Sequence, residues 1–250
     1  MTYHTRMRAP EVILDDFEAV YGYYLDHQQN RLQAKAAYAI LARRFAPRIS
    51  YAPGAERTLR QLIKDDRRLI VAANHLSTND PYTLAGAGWR SALRPVIGRC
   101  RVLAKDELFE DPKLRKKIDM MGGIPVFRGK DHGLRAVNAA GQRMMDLCAE
   151  RLRRGDEIVV FPEGTCNETD PTRVQAVGSG IGHIAHRAVK LGVQPAFVFM
   201  GLSYGPGESV KSASYYIDVP ATDFPDKPGA IAKFVRERMQ DALDGAVKNY

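Results

Sequence analysis

The sequence predicts an α/β protein with a mixed, largely parallel sheet that is flanked by helices and preceded by an N-terminal helical arm. Two observations support this fold class. From about residue 55 onwards, short apolar segments compatible with strands alternate with longer segments of helical periodicity, as in folds built from strand–helix units. Before that point, apolar residues recur at spacings of three and four, which is typical of amphipathic helices.

The N-terminal part is predicted to be helical over residues 11–46, in two stretches. The second stretch, 31–46, carries basic residues among its apolar ones. Pro47 and the Pro53–Gly54 pair then interrupt the pattern. We therefore divide the chain into a helical arm, residues 1–50, and a domain of residues 51–250 that is expected to carry the active site. The apolar positions of the first stretch are Val12, Leu14, Phe17, Val20, Tyr21, Tyr24 and Leu25.

The elements of the larger domain follow from the alternating pattern. Because the loops at the carboxyl ends of parallel strands build the active site in such sheets, the residues that follow each strand are the candidate functional residues. Strands are predicted at 68–73, 94–104, 123–127, 157–161 and 195–203. Helices are predicted at 55–65, from about 81, and at 106–119, 132–154, 178–191 and 228–247.

Composition limits the possible functions. Hydrophobic residues make up 45% and charged residues 26%, as in ordinary globular proteins. No apolar segment approaches the roughly 20 residues needed to cross a bilayer, and the first residues lack the apolar core of a signal peptide. The cysteines, Cys100, Cys148 and Cys166, are widely spaced, which argues against a disulfide framework or a structural zinc site and favours a reducing cytosol.

The net charge of +8 favours an anionic partner, which could be nucleic acid, an acidic membrane surface or a phosphorylated small molecule. The charge alone does not choose among these partners. A basic surface that is simply solvated is an equally good interpretation of the charge.

The segment NHLSTND, residues 74–80, lies between a predicted strand and a helix that begins near Pro81. At neutral pH a histidine can act as a general base, and a carboxylate on its other ring nitrogen can orient it. His75 and Asp80 are five residues apart, which suits contact poorly on a straight helix but well where a loop bends into a helix. The alternative is that His75 begins the helix and Asp80 caps it before Pro81.

Two further strand ends carry candidate binding residues. In GGIPVFRG, residues 122–129, Arg128 offers a guanidinium suited to phosphate beside glycines that permit close approach. In FPEGT, residues 161–165, the segment Glu163–Thr165 supplies a carboxylate, an accessible backbone and a hydroxyl, which suit a polyol. The alternatives are a turn with a surface arginine in the first case and turn chemistry that ends a strand in the second.

A nucleophile supplied by the protein finds little support. The chain has no G-x-S-x-G sequence, and Ser77 is too close to His75 in sequence to be presumed its partner. Cys166 follows the third motif, but a lone cysteine is more often a packing residue. His75 is therefore expected to activate an external nucleophile such as a substrate hydroxyl. His183 and His186 lack an evident third ligand, so no metal site is predicted.

The motifs N-H-x-S-x-x-D, G-x-x-x-x-R and F-P-E-G-T, in this order, resemble those of the glycerolipid acyltransferase family, typified by 1-acylglycerol-3-phosphate acyltransferases. The resemblance covers roughly residues 55 to 205. It implies an α/β catalytic domain that moves a fatty acyl group from a thioester of coenzyme A or acyl carrier protein to a hydroxyl, a reaction that needs no covalent acyl-enzyme, no metal and no other cofactor. It also implies roles for individual residues: His75 as general base, Asp80 as its orienting carboxylate, Arg128 as the contact to the acceptor phosphate, and Glu163, Gly164 and Thr165 as the lining of the acceptor site.

Departures from the family pattern leave the acceptor open. The second motif has Pro125 and Phe127 where the family often has an aromatic or aliphatic residue and an acid. The strand at 195–203 begins with a proline, where the family usually has a proline at the end. A Lys-Gly pair common after the third motif corresponds here to Val177–Gly180.

The expected partners follow from the resemblance and the charge: an acyl thioester donor, a phosphorylated lipid acceptor, a membrane surface and, as one choice of donor, acyl carrier protein, but no nucleic acid. The expected location is cytoplasmic, peripheral at the inner face of the cell membrane. One alternative keeps the mechanism with a glycolipid or another acceptor. A different class is a basic protein that binds anions or membranes without catalysis, but the basic residues are scattered among acids, as in segment 105–117.

Overall fold

The computed structural model describes residues 9–206 and 209–250, so residues 1–8 of the predicted arm lie outside the described residues. The strands are β1 (Arg48–Tyr51), β2 (Arg68–Ala73), β3 (Cys100–Lys105), β4 (Gly123–Val126), β5 (Glu157–Val160), β6 (Pro195–Ser203) and β7 (Ser214–Ile217). The α-helices are α1 (Phe17–Asp26), α2 (Arg31–Phe45), α3 (Ala55–Lys64), α4 (Asp80–Arg90), α5 (Pro112–Met120), α6 (Gly129–His132), α7 (Asn138–Arg153), α8 (Gly180–Lys190) and α9 (Pro228–Lys248).

The seven strands of the described residues form one sheet in the order β1-β7-β6-β2-β5-β3-β4. The five strands from β6 to β4 are mutually parallel, whereas β7 runs antiparallel to β6 and pairs with β1 in parallel. Every residue of β2 and β6 is buried, as expected for central strands covered by helices on both faces. The prediction of a mixed, largely parallel sheet flanked by helices is confirmed.

The predicted strand at 94–104 is wrong in its first half. Residues Arg94–Val96 form a 3-10 turn, and β3 begins only at Cys100. Pro95 lacks the N–H that a ladder needs, and Gly98 has a φ of +93°, so the chain turns before the strand starts. Two short strands, β1 and β7, were not predicted.

Two predicted helices begin later than expected. The segment Asp106–Phe109 is a 3-10 turn, and α5 starts at Pro112, where Asp111 caps it by accepting a hydrogen bond from the N–H of Lys113 at 2.8 Å. The helix predicted at 132–154 begins only at Asn138, as α7, and the short α6 precedes it and ends at His132.

Both helices of the predicted arm contact the rest of the chain. Tyr21 and Tyr24 of α1 are buried in the main hydrophobic core, and α2 packs on α4. A Cβ on Gly86 of α4 would lie 3.2 Å from the Cα of Ala42, so the glycine permits this close packing. β1 spans the predicted boundary between the arm and the catalytic domain at residue 50. The division of the chain into these two parts stays a prediction.

A buried ionic network holds the carboxyl end of α1 at the amino-terminal edge of the sheet. Asp156 Oδ2 accepts hydrogen bonds from the Nε atoms of Arg101 and Arg151, each at 2.6 Å. The two guanidinium groups also donate to the carbonyl oxygens of His27 and Leu25, each at 2.8 Å. Both arginines are almost fully buried, so their charges depend on this one carboxylate.

We expect Asp156→Ala to lower the free energy of unfolding by ~3–5 kcal/mol, because it leaves two buried guanidinium groups without their counter-charge. Denaturant unfolding of the purified protein measures this change. Glu150→Ala is the matched control, since Glu150 pairs with Arg153 and Arg154 where both arginines are exposed and such pairs contribute ~0–1 kcal/mol. Equal losses in the two variants would contradict the network's role.

Candidate active site

The first motif brings His75 and Asp80 into contact. His75 leaves the end of β2 and Asp80 is the first residue of α4, so the intervening loop folds back between them. The Nδ1 atom of His75 lies 2.8 Å from Asp80 Oδ2. The imidazole is 17% exposed, whereas the carboxylate is completely buried. The predicted contact between the two side chains is therefore present. The alternative interpretation does not describe the structure, because Asn79 is the N-cap of α4, Asp80 is its first residue and His75 lies in the preceding loop.

The Asp80 carboxylate also orders the loop itself. Its Oδ2 atom accepts hydrogen bonds from the backbone N–H groups of Leu76 and Ser77, the latter at 2.8 Å. Ser77 Oγ accepts from the N–H of Asn79 at 3.2 Å, so this hydroxyl takes part in the turn. One carboxylate thus fixes both the backbone path and the ring of His75.

Tyr204 is a site residue that sequence reasoning missed. Its hydroxyl donates to Asp80 Oδ1, and burial together with the Asp80 charge raises the pKa of this phenol, which keeps it protonated as a donor. Thr83 Oγ1 lies 3.5 Å from the Tyr204 hydroxyl and 2.7 Å from that of Tyr215, which extends the buried network. Tyr204 directly follows the predicted strand 195–203, so the rule about strand ends could have found it.

Asn74 joins the end of β2 to β6. Its side-chain amide donates to the carbonyl of Leu202 at 3.0 Å, and its side-chain oxygen accepts from the N–H of Leu202 at 2.6 Å. The side chain of Asn74 thus makes the pair of hydrogen bonds to β6 that a strand backbone would make. The main chain can therefore leave the sheet at His75.

Glu163 holds the backbone of His75 from the neighbouring strand. One carboxylate oxygen accepts from the N–H of His75 and the other from the N–H of Gln175, each at 2.8 Å. Both oxygens are therefore engaged in joining loops of the site. Gly164 and Thr165 are exposed beside it. Their role in lining an acceptor site, like that of Glu163, stays a prediction.

Arg128 joins the second motif to the third. Its Nε donates to Asp131 Oδ2 at 2.7 Å, and its Nη1 donates to the carbonyl of Gly164 at 3.3 Å. The side chain is partly exposed. All three motifs predicted at strand ends thus lie at one edge of the sheet, where the order β2-β5-β3-β4 places them side by side.

The second ring nitrogen of His75 faces Cys166. The imidazole stacks on Phe161 with ring centroids 4.4 Å apart, and Cys166 Sγ lies 3.6 Å from Nε2. Burial raises the pKa of the Cys166 thiol, and the charges of Asp80 and Glu168 raise it further. The resting side chain is therefore a thiol. The sequence placed Cys166 near the third motif but gave no signal of this contact.

Over residues 9–206 and 209–250, no three His, Cys, Asp or Glu side chains are grouped so that they could hold a metal ion. His186 Nδ1 is hydrogen-bonded to the carbonyl of Asp226 at 3.0 Å. In the same part of the chain, none of the helices combines the length and the apolar character needed to span a bilayer.

The fold and the site define a class: an α/β enzyme with a histidine–carboxylate pair and an arginine-bearing loop at the carboxyl edge of its parallel strands. The family model described as Acyltransferase matches residues 55–199. The chain therefore belongs to the family of glycerolipid acyltransferases, which includes 1-acylglycerol-3-phosphate acyltransferases, and it is an acyltransferase. No curated protein matches the chain significantly.

We expect Glu163→Gln to loosen the site, because a glutamine has one acceptor oxygen and would turn its NH₂ group towards one of the two backbone N–H groups. Losing one charge-assisted hydrogen bond costs ~1.5–3 kcal/mol, so the amide of His75 or Gln175 should exchange at least about tenfold faster than in the unsubstituted protein. Hydrogen–deuterium exchange with residue resolution measures this rate. Glu168→Gln, at an exposed acid of the same loop, is the control. Unchanged protection at both amides in Glu163→Gln would contradict the bridging role.

Proposed function

We propose that this acyltransferase moves a fatty acyl group from an acyl thioester, acyl-coenzyme A or acyl carrier protein, to a hydroxyl of a lysophospholipid such as 1-acylglycerol-3-phosphate. The observation that carries the proposal is the His75–Asp80 pair, in which the carboxylate occupies Nδ1 and the ring remains partly exposed. Family membership supplies the acyl-transfer chemistry, and the pair supplies a base that can accept a proton at Nε2.

In the proposed mechanism, the acceptor hydroxyl gives its proton to Nε2 of His75 as its oxygen attacks the thioester carbonyl. Asp80 keeps the Nδ1–H oriented and stabilises the imidazolium that forms. Collapse of the tetrahedral intermediate breaks the carbon–sulfur bond, and the departing thiolate takes the proton from Nε2. Tyr204 holds the carboxylate throughout this cycle by donating to its second oxygen.

Arg128 is proposed to bind the acceptor phosphate. It lies at the same edge as His75, is partly exposed and is oriented by Asp131 and by the carbonyl of Gly164. A guanidinium held in this way is preorganised for a charge-assisted contact with a phosphate oxygen. The exposed backbone and hydroxyl of Gly164 and Thr165 are proposed to contact the glycerol part of the acceptor.

Peripheral binding to an anionic membrane is proposed for the outer face of α2. The inner face packs on α4, whereas Leu32 and Ile40 are 80% and 66% exposed. Lys35 and Arg43 are exposed on the same side of the helix, which combines apolar and basic groups as interfacial helices do. The end of α2 also lies near the site, because Phe45 stacks on Tyr82 of α4, two residues after Asp80.

We expect His75→Ala to reduce acyl transfer ~100- to 10,000-fold, the usual contribution of a general base, without unfolding the protein. Asp80→Asn should reduce transfer nearly as much by misorienting the ring. Release of the donor thiol and formation of the ester are measured together, with circular dichroism as the folding check. His183→Gln, on α8, is the control. Near-normal turnover in folded His75→Ala would rule out this mechanism and favour a non-catalytic role.

We expect Arg128→Lys to raise the KM for a phosphorylated acceptor about tenfold or more, because a lysine cannot reproduce the guanidinium fork. The KM for the acyl donor should change little. Arg135→Lys, at an exposed arginine after α6, is the control for loss of surface guanidinium. An unchanged acceptor KM, or equal use of an acceptor without phosphate, would favour a glycolipid or another acceptor.

Replacing Leu32 and Ile40 together by serine should abolish sedimentation with liposomes that contain anionic lipid, whereas enzyme activity on a dispersed short-chain acceptor should persist. Adding salt should weaken binding of the unsubstituted protein, since the screened charges of Lys35 and Arg43 contribute to it. Substituting Leu191 and Val247, which are exposed elsewhere, is the control. Binding that survives the α2 substitutions would contradict this surface.

A further inference from the structure

The Cys166 thiol lies beside the ring nitrogen of His75 that accepts the proton of the acceptor hydroxyl in the proposed mechanism. Its Sγ atom lies 3.6 Å from Nε2 of His75, and Asp80 Oδ2 lies 2.8 Å from Nδ1 of the same ring. The three side chains therefore form a Cys-His-Asp array, the arrangement by which a protein thiol is activated as a nucleophile. The array lies at the carboxyl edge of the neighbouring strands β2 and β5.

The position of Cys166 is fixed by its neighbour. The N–H of Asn167 donates to the carbonyl of His75 at 2.7 Å, so the residue that follows the cysteine is tied to the residue that carries the base. The Asn167 side chain is buried and donates to the carbonyls of Asp170 and Arg173 at 2.7 and 2.6 Å. These hydrogen bonds hold the thiol beside the imidazole, while Cys166 itself is only partly buried.

We propose that Cys166 is a covalent acylation site: in the absence of an acceptor, it takes the acyl group from the thioester donor and becomes an S-acyl cysteine. This proposal rests on the proposed donor class and goes beyond the direct transfer described above.

The step is balanced without any further reactant. Cys166 Sγ attacks the carbonyl carbon of the donor as its proton passes to Nε2 of His75. The bond between that carbon and the donor sulfur breaks, and the leaving thiolate takes the proton from Nε2. One thioester replaces another, so the exchange needs no source of energy. A hydroxyl or a water molecule can then attack the S-acyl cysteine with His75 again as base.

The protonation state of Cys166 is consistent with a role for His75 as the base that activates it. Its raised pKa keeps Cys166 protonated at rest, so the thiol depends on the adjacent base for reactivity. Cys100 and Cys148 are buried, and burial raises the pKa of both thiols. They serve as internal controls for non-specific acylation.

The test mixes the full-length protein with octanoyl- or palmitoyl-coenzyme A and no acceptor, and follows intact mass and release of free coenzyme A. We expect a mass gain of one acyl group less one hydrogen, located on the peptide with Cys166 and removed by neutral hydroxylamine. Cys166→Ala should lack the adduct, Cys148→Ala should retain it, and His75→Gln should form it ~100-fold more slowly or less. If the adduct hydrolyses too quickly to be seen, the readout is the release of coenzyme A without acceptor. We then expect this release to be lost in Cys166→Ala.

The inference is overturned if the unsubstituted protein shows neither the adduct nor more coenzyme A release than Cys166→Ala, or if the acyl group is found on another residue. Assay of the same preparation with a hydroxyl acceptor separates this result from the proposed function. Ester formation without acylation of Cys166 overturns the inference alone. Acylation of Cys166 without ester formation on any acceptor supports the inference and overturns the proposed function.

Discussion

The geometry of the site depends on a single buried carboxylate, that of Asp80. A charge removed from water must be fully paired, and this one accepts from the ring of His75, from the N–H groups of Leu76 and Ser77, and from the hydroxyl of Tyr204. These donors come from the end of β2, the loop before α4 and the end of β6. The same group therefore orders the loop, sets the ring orientation and connects two parallel strands.

Strand order explains why these groups meet. β2 lies at the centre of the sheet between β6 and β5, so residues that follow the three strands become neighbours although they are far apart in sequence. Asn74 extends the contact with β6 by its side chain, and Glu163 reaches across from β5 to the backbone of His75. The catalytic proposal for His75 thus rests on a scaffold that is hydrogen-bonded from both sides.

Prediction from sequence succeeded where the signal was local. The apolar run of β2 followed by Pro81 indicated a strand, a loop and a helix start, and this was enough to expect contact between His75 and Asp80. Prediction failed for the four-residue strands β1 and β7, because Ser50 divides the short apolar segment of β1 and only three apolar residues follow Ser214 in β7. It also missed the contacts of Tyr204 and Cys166, which are made 124 and 91 residues away along the chain and depend on tertiary packing.

The most direct test of the proposed function is product analysis with the unsubstituted protein, an acyl-coenzyme A and a panel of acceptors that differ in phosphate, glycerol and sugar groups. Mass spectrometry of the extracted lipids identifies the new ester, and a thiol assay counts the coenzyme A released. We expect the ester formed on the hydroxyl of a phosphorylated lysolipid to equal the coenzyme A released above the level seen without acceptor. Release of coenzyme A without an ester on any acceptor, or no reaction at all, would contradict the proposed function.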